Sequence, residues 1–157
     1  MEFKDIKSVY FVGAGGIGMS AIARYFIRKG VVVAGYDKTP SALTHQLERE
    51  GMLIHYEENV NEIPHACSDP KSCLVIYTPA IPAEHMELQF FRNGGFEIQK
   101  RAQVLGTLTL AHHGLCVAGT HGKTTTTSMI SEILLAAQTD PTISVGGILS
   151  SIHGNLR

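Results

Sequence analysis

Residues 13–18, with the sequence GAGGIG, have the spacing of a GxGxxG phosphate-binding turn. In such a turn the first glycine permits the tight bend, the second lets the backbone approach a diphosphate, and the third allows close packing of helix on strand. The helix that follows offers free N–H groups and a partial positive charge. We therefore expect an anion at this loop; the alternative is that the glycines only form a tight strand-to-helix turn.

Asp37 follows the second apolar run, where folds of this kind place an acid that accepts hydrogen bonds from a ribose or a base edge. On this motif alone a nicotinamide dinucleotide is the default ligand. An NAD-dependent oxidoreductase is therefore one hypothesis, because the motif predicts a diphosphate pocket without identifying the ligand.

Residues 119–124, GTHGKT, resemble the end of a Walker A loop, although Val117 stands where the general pattern has its leading glycine. In such a loop the backbone amides face the phosphates, Lys123 reaches the β and γ oxygens, and the Thr124 hydroxyl completes a Mg²⁺ shell. The alternative is a solvated Lys123 and threonines that only cap a helix. A lysine is unfavourable at the positive end of a helix, so a bound polyanion explains Lys123 better.

The elements that carry these loops follow from apolar runs that alternate with segments of helical spacing. This alternation predicts an α/β fold, a Rossmann-like doubly wound parallel sheet with right-handed crossovers. The predicted strands are 8–12, 31–36, 52–55, 74–77 and 96–98, and the predicted helices are 17–29, 41–50, 84–92 and 101–112.

The pattern restarts after about residue 107, which divides the chain into a Rossmann-like domain, 1–107, and the start of a P-loop ATPase-type α/β domain, 108–157. In the second part, residues 115–118 predict a buried strand, 123–137 a helix and 143–145 another strand. These elements are too few for a closed core. We expect the segment after residue 137 to be loosely ordered, or else to pack on the first domain or on a neighbouring chain.

The composition is that of an ordinary globular protein, with 44% hydrophobic residues, 17% charged residues and a formal net charge of -1. Without a basic surplus, we expect no binding to nucleic acid or to a membrane surface. The sequence has no apolar signal core and no run long enough to cross a membrane, which favours a cytoplasmic location. The three cysteines lack CxxC spacing, so we expect free thiols.

Taken together, FVGAGGIGMSAIA at 11–23 and VAGTHGKTTTTSMI at 117–130 resemble the Mur ligase family of peptidoglycan synthesis. Asp37 and the segments HYEENV, TPAIP and RAQVL lie between them in the order of that family. The similarity is greatest to members that join L-alanine to UDP-N-acetylmuramate and cleave ATP in the presence of Mg²⁺. The resemblance therefore implies UDP-N-acetylmuramate and L-alanine as partners, ATP and Mg²⁺ as cofactors, and a role in cell wall biogenesis, cell shape and cell division.

The same resemblance implies the site residues. Those for the UDP-sugar are Gly15, Gly16, Ile17, Gly18, Met19, Asp37, His55, Thr78, Pro79, Ala80 and Ile81. Those for ATP are Gly119, Thr120, His121, Gly122, Lys123, Thr124 and Thr125, with Thr124 as the metal ligand and Lys123 and His121 as catalytic residues. For His121 the alternative is a loop histidine of which only the backbone matters.

In this family the remaining parts of the ATP site and the amino-acid-binding domain lie beyond the position of Arg157. We therefore expect the chain to bind the UDP-sugar and not to catalyse the reaction alone. Tyr36 and Ile54 depart from the small residues common at their positions, which affects the uracil pocket. The closest alternative is a ligase that recycles a cell-wall tripeptide onto the same UDP-sugar, and another is a non-catalytic nucleotide-binding module.

Overall fold

A five-stranded parallel sheet is the centre of the fold in the computed structural model, which describes residues 5–110 and 112–157. Its strand order is β3-β2-β1-β4-β5, and every neighbouring pair is parallel. The strands are β1 Ser8–Val12, β2 Val32–Tyr36, β3 Leu53–His55, β4 Cys73–Tyr77 and β5 Glu97–Lys100. The predicted Rossmann-like α/β sheet is therefore confirmed.

Three helices lie between these strands and a fourth follows β5, at nearly the predicted positions: α1 Ile17–Arg28, α2 Ala42–Arg49, α3 Met86–Asn93 and α4 Arg101–Leu110. Ser41 caps α2 as predicted, because its hydroxyl accepts from the Thr44 amide while the Thr44 hydroxyl accepts from the Ser41 amide. The predicted end of the fourth helix at residue 112 is wrong, since His112 is not helical; Ala111 lies outside the described residues. The domain division after residue 107 stays a prediction.

Both faces of the sheet are covered, which explains why its central strands are apolar throughout. Val9 and Phe11 of β1 pack with apolar residues of α1, α2 and α4 on one face. Tyr10 and Val12 face the other way and pack against Phe91 of α3. Alternate residues of β1 therefore belong to two separate cores, and the strand ends are fixed between them.

The second part of the chain consists of helix α5, Lys123–Ala136, followed by an antiparallel hairpin of β6, Ser144–Leu149, and β7, Gly154–Leu156. The predicted strand at 115–118 is wrong: these residues have no regular structure, and Leu115 is 69% exposed. A buried parallel strand needs neighbours on both sides, and no described strand lies beside this segment. Strand β7 was not predicted.

The hairpin packs on α1, which agrees with the expectation that the segment after residue 137 packs on the preceding part of the chain. Asn155 of β7 is fully buried; its amide nitrogen donates to the Ile17 carbonyl at 2.5 Å and to the Ser20 hydroxyl at 2.9 Å. Its side-chain oxygen accepts from Nη1 of Arg24, and Nε of Arg24 forms a salt bridge with Glu50 at 2.7 Å. A buried polar network therefore joins the hairpin to the first turns of α1.

All three cysteines are free, as predicted, with Cys67 and Cys73 buried and Cys116 exposed. Within the described ranges, none of the helices has the length and apolar character needed to cross a membrane.

Candidate functional site

A cleft of about 770 Å³ opens at the carboxyl ends of β1, β2 and β4. Parallel sheets bind ligands at this edge, where the strand order reverses between β1 and β4. The lining residues are Gly13, Gly15, Gly16, Met19, Tyr36, Asp37, Lys38, Glu58, Thr78, Ala80, Ile81, Pro82, Glu84 and His85. Seven of the residues predicted for the UDP-sugar are among them: Gly15, Gly16, Met19, Asp37, Thr78, Ala80 and Ile81.

The amides of the glycine loop divide into two groups. Gly13 and Ala14 donate to the Tyr36 carbonyl at 2.8 and 3.0 Å, which ties the loop to the end of β2. The amides of residues 16–19 have no acceptor within the described part of the chain, as is usual for the first turn of a helix. Gly16 and Ile17 are exposed, so the start of α1 is open to an anion.

Asp37 is already bonded to the loop that it was predicted to accompany. Its Oδ2 accepts from the Gly15 amide at 2.5 Å, and its Oδ1 accepts from the Thr39 amide at 3.1 Å. A carboxylate offers about four acceptor positions, so both oxygens keep capacity for a ligand. Asp37 therefore both shapes the glycine loop and faces the cleft.

The turn at residues 78–82 forms the wall opposite the glycine loop. A Cβ atom at Gly13, which has φ +90, would lie 2.6 Å from Cγ2 of Thr78 and 3.3 Å from Ile81. Only glycine fits this close approach. Pro79 is exposed and does not line the cleft, whereas Thr78, Ala80 and Ile81 do.

His55 lies beneath the cleft and not in its lining. Its Nε2 is 3.0 Å from the Tyr10 hydroxyl and 3.0 Å from Oε1 of Glu87, and Tyr10 also donates to Oε2 of Glu87 at 2.6 Å. Oε1 of Glu87 accepts in addition from the Asn59 amide. Burial, followed by the charge of Glu87, raises the pKa of Tyr10 far above its usual range. His55 therefore helps to hold together the floor of the cleft.

The sequence analysis assigned no role to four residues that line the cleft, Lys38, Glu58, Glu84 and His85, and named Tyr36 only as a departure from a small residue. The Tyr36 ring lies 4.7 Å from the His85 ring, and burial together with the Glu58 carboxylate raises the pKa of Tyr36. Only Tyr36 carried a sequence signal, as a large residue in place of a small one. Glu58 lies in the HYEENV segment, but nothing in the sequence linked it to His85, because α3 brings the two residues together only in the folded chain.

Arg101 was also missed as a candidate ligand. A Cβ atom at Gly18 would lie 2.8 Å from Nη1 of Arg101, so the guanidinium rests against the open start of α1. Arg101 has no hydrogen bond or ion pair with any residue that the structure describes. It is also the first residue of α4, where a cation is unfavourable unless an anion is near.

The second loop, residues 119–125, is fully exposed and leads directly into α5. Gly122 precedes the helix with φ 76, a left-handed conformation that glycine adopts without strain. Nζ of Lys123 donates to the carbonyls of Gly119 at 2.6 Å and Thr120 at 3.2 Å. The Lys123 ammonium group is therefore hydrogen-bonded within the loop itself, and the amides and hydroxyls of the loop remain accessible.

For a metal ion this loop offers the Thr124 hydroxyl, which has no hydrogen-bond partner within the described ranges. Those ranges also contain no cluster of three or more His, Cys, Asp or Glu side chains that could hold a metal. One hydroxyl fits a Mg²⁺ ion whose other ligands come from nucleotide phosphates and water.

A sequence profile of the Mur ligase family, catalytic domain, matches residues 8–113. A relative from Parabacteroides distasonis, named UDP-N-acetylmuramate--L-alanine ligase, is 55% identical over 156 residues, covering 99% of this chain and 34% of the relative. The chain thus spans about a third of the length of the curated relatives that it matches.

The fold is similar to that of several solved structures. The UDP-N-acetylmuramate-alanine ligase of Thermotoga maritima has a TM-score of 0.85 and 31% identity, covering 96% of this chain and 34% of that one. The UDP-N-acetylmuramate:L-alanyl-gamma-D-glutamyl-meso-diaminopimelate ligase of Neisseria meningitides has a TM-score of 0.84 and 27% identity, covering 97% and 46%. Since the profile match spans more than half of the sequence and includes the cleft, the chain belongs to the Mur ligase family.

Proposed function

We propose that the chain is the nucleotide-sugar-binding part of a cytoplasmic ATP-dependent ligase that joins L-alanine to UDP-N-acetylmuramate in peptidoglycan synthesis. The observation that carries this proposal is the cleft whose open amides lie at the start of α1, in a chain 55% identical to a relative named for that reaction. The same family membership favours a ligase over the oxidoreductase alternative.

The diphosphate of the UDP-sugar binds at the amides of residues 16–19, where the helix dipole adds positive charge. Arg101 supplies a full positive charge beside Gly18. Asp37 accepts hydrogen bonds from the nucleoside, and the turn with Thr78, Ala80 and Ile81 closes over it. These contacts favour an anion at the start of α1 and a neutral nucleoside beside Asp37 and the turn.

ATP binds at residues 119–125 and supplies the phosphoryl group that activates the sugar carboxylate. On ATP binding, the Lys123 ammonium group gives up its hydrogen bonds to the Gly119 and Thr120 carbonyls and bonds to phosphate oxygens instead. A charged acceptor binds an ammonium group more strongly than a carbonyl does. The Thr124 hydroxyl contributes one ligand to Mg²⁺. His121 is exposed in the same loop and faces solvent, where it can approach the reacting carboxylate.

Calorimetric titration of the chain with UDP-N-acetylmuramate tests the proposal. We expect saturable binding by the wild-type chain and none by Gly15→Val, because a Cβ atom there would lie 2.9 Å from Oδ2 of Asp37. No detectable heat from the wild type at millimolar ligand would contradict the proposal. Quenching of nicotinamide fluorescence on mixing with NADH would instead support the oxidoreductase.

Specificity for alanine over a tripeptide is favoured by the names of the relatives that are 49–55% identical over 151–156 residues. The similarity to the Neisseria ligase keeps the tripeptide enzyme as the second candidate. The experiment is to express the gene that encodes the chain and compare the activity of its full product with L-alanine and with L-alanyl-γ-D-glutamyl-meso-diaminopimelate. Preference for the tripeptide would overturn the alanine assignment.

A further inference from the structure

His85 is a buried imidazole in the cleft wall whose hydrogen-bonding groups are unused. Its side chain is 4% exposed, yet neither ring nitrogen has a hydrogen-bond partner in the described ranges. It occupies the N-cap of α3 without capping the helix with its side chain. A buried polar group without a partner costs stability, and at a cleft wall this cost is explained by a ligand that completes the bond.

Glu58 is a charged neighbour of this imidazole. Its Oε1 lies 3.7 Å from Nδ1 of His85, beyond hydrogen-bonding distance. The backbone amide of Met86 donates to the same Oε1, whereas Oε2 has no partner within the described ranges. The Glu58 carboxylate, which is 36% exposed and can accept, and the His85 imidazole, which can donate, thus lie side by side without a hydrogen bond between them.

Tyr36 gives this part of the cleft a flat apolar surface. Its ring lies 4.7 Å from the His85 ring at an angle of 59°. Glu58 and Glu84 line the same part of the cleft, and their negative charges disfavour a phosphate there. The surroundings of His85 therefore suit an uncharged planar ring that carries hydrogen-bonding groups on its edge.

We propose that Glu58 and His85 form a donor–acceptor pair that selects uracil over cytosine. Glu58 accepts from the ring N–H of the uracil imide, and an N–H of His85 donates to the adjacent carbonyl oxygen. Cytosine presents a lone pair and an amino group on that edge, so it would place a lone pair against a carboxylate and a donor against a donor. This inference rests on the proposed binding of a UDP-sugar in the same cleft.

The test is calorimetric titration of the chain with UDP and with CDP. We expect the wild type to bind UDP at least about 10-fold more tightly than CDP, the scale of discrimination typical for a paired base edge. Glu58→Gln and His85→Phe should weaken UDP binding about 10-fold and bring the UDP to CDP ratio towards one. Glu57→Gln and His65→Phe, both at exposed positions that do not line the cleft, are the matched controls.

The outcomes separate this inference from the function on which it rests. If the wild type binds neither UDP nor UDP-N-acetylmuramate, the proposed function fails. If it binds both, and Glu58→Gln and His85→Phe keep the wild-type UDP to CDP ratio, the base-reading pair is wrong. Glu58→Gln alone decides the matter if His85→Phe does not fold, because Glu58 is exposed and its replacement has the same shape.

Discussion

The carboxylate of Asp37 accepts a hydrogen bond from the backbone amide of Gly15 at 2.5 Å. The two residues follow β1 and β2, neighbouring strands whose carboxyl ends meet at the cleft. The conformation of the glycine loop after β1 is therefore stabilised by a side chain that follows a different strand, β2.

We expect Asp37→Ala to weaken binding of UDP-N-acetylmuramate at least about 10-fold and to lower the free energy of unfolding by about 1.5–3 kcal/mol. The Gly15 amide loses a charged acceptor, and hydrogen bonds to charged groups are worth this much. Calorimetry and urea unfolding measure the two effects. Asp37→Asn keeps an acceptor and should lose less stability; equal losses in both variants would contradict this role.

We expect Gly13→Ala to lower the free energy of unfolding by about 2–4 kcal/mol, because it combines a positive φ with crowding against Thr78. The matched control is Gly106→Ala within α4, where a Cβ atom would meet nothing within 4 Å. That change should stabilise the chain by about 0.5–1 kcal/mol. Urea unfolding of both variants checks the prediction, and similar effects of the same sign would argue against it.

We expect Arg101→Gln to reduce affinity for UDP about 10-fold at low salt while leaving affinity for uridine unchanged, since the lost charge lies beside Gly18, at the proposed diphosphate site. The effect should shrink as the salt concentration rises, because ions screen the interaction. Lys100→Gln removes the neighbouring exposed cation and is the control. An equal loss of uridine affinity in Arg101→Gln would show that Arg101 only supports the fold.

We expect the stability of the chain to fall above about pH 10, partly because Tyr10 resists ionisation in the folded state. An unfolded tyrosine ionises near pH 10, so the folded chain, with its raised Tyr10 pKa, loses up to about 1.4 kcal/mol per pH unit above that value. Below pH 10 this contribution is fully present. In urea unfolding at pH 8 to 11, Tyr10→Phe should show a shallower decline than the wild type; an unchanged slope would contradict the assignment.

The alternation of strands and helices along the chain followed from local patterns, because most strands are short apolar runs and most turns contain glycine or proline. The glycine loop and Asp37 were predicted for the same reason. The direction of a side chain could not be predicted from these patterns. His55 has the expected position at the end of β3, but its side chain contacts the buried Glu87 and does not line the cleft. Its direction depends on α3, which is distant in the sequence.

The segment at 115–118 shows the limit of the apolar-run rule. Its residues Leu115, Cys116, Val117 and Ala118 have the composition of a buried strand, but a strand forms only beside another strand. The hairpin strand β7 was missed for the opposite reason, since Gly154–Leu156 has no strand pattern and is held through Asn155. In both segments, the presence or absence of a strand to pair with, and not the local composition, determined whether a strand forms.

Asn155 donates a hydrogen bond to the Ile17 carbonyl in the first turn of α1, while the Ile17 amide has no acceptor within the described part of the chain. The turn of backbone that we propose as the diphosphate site is therefore anchored by the hairpin that follows the loop at residues 119–125. Any movement of the hairpin relative to α1 must break these buried hydrogen bonds.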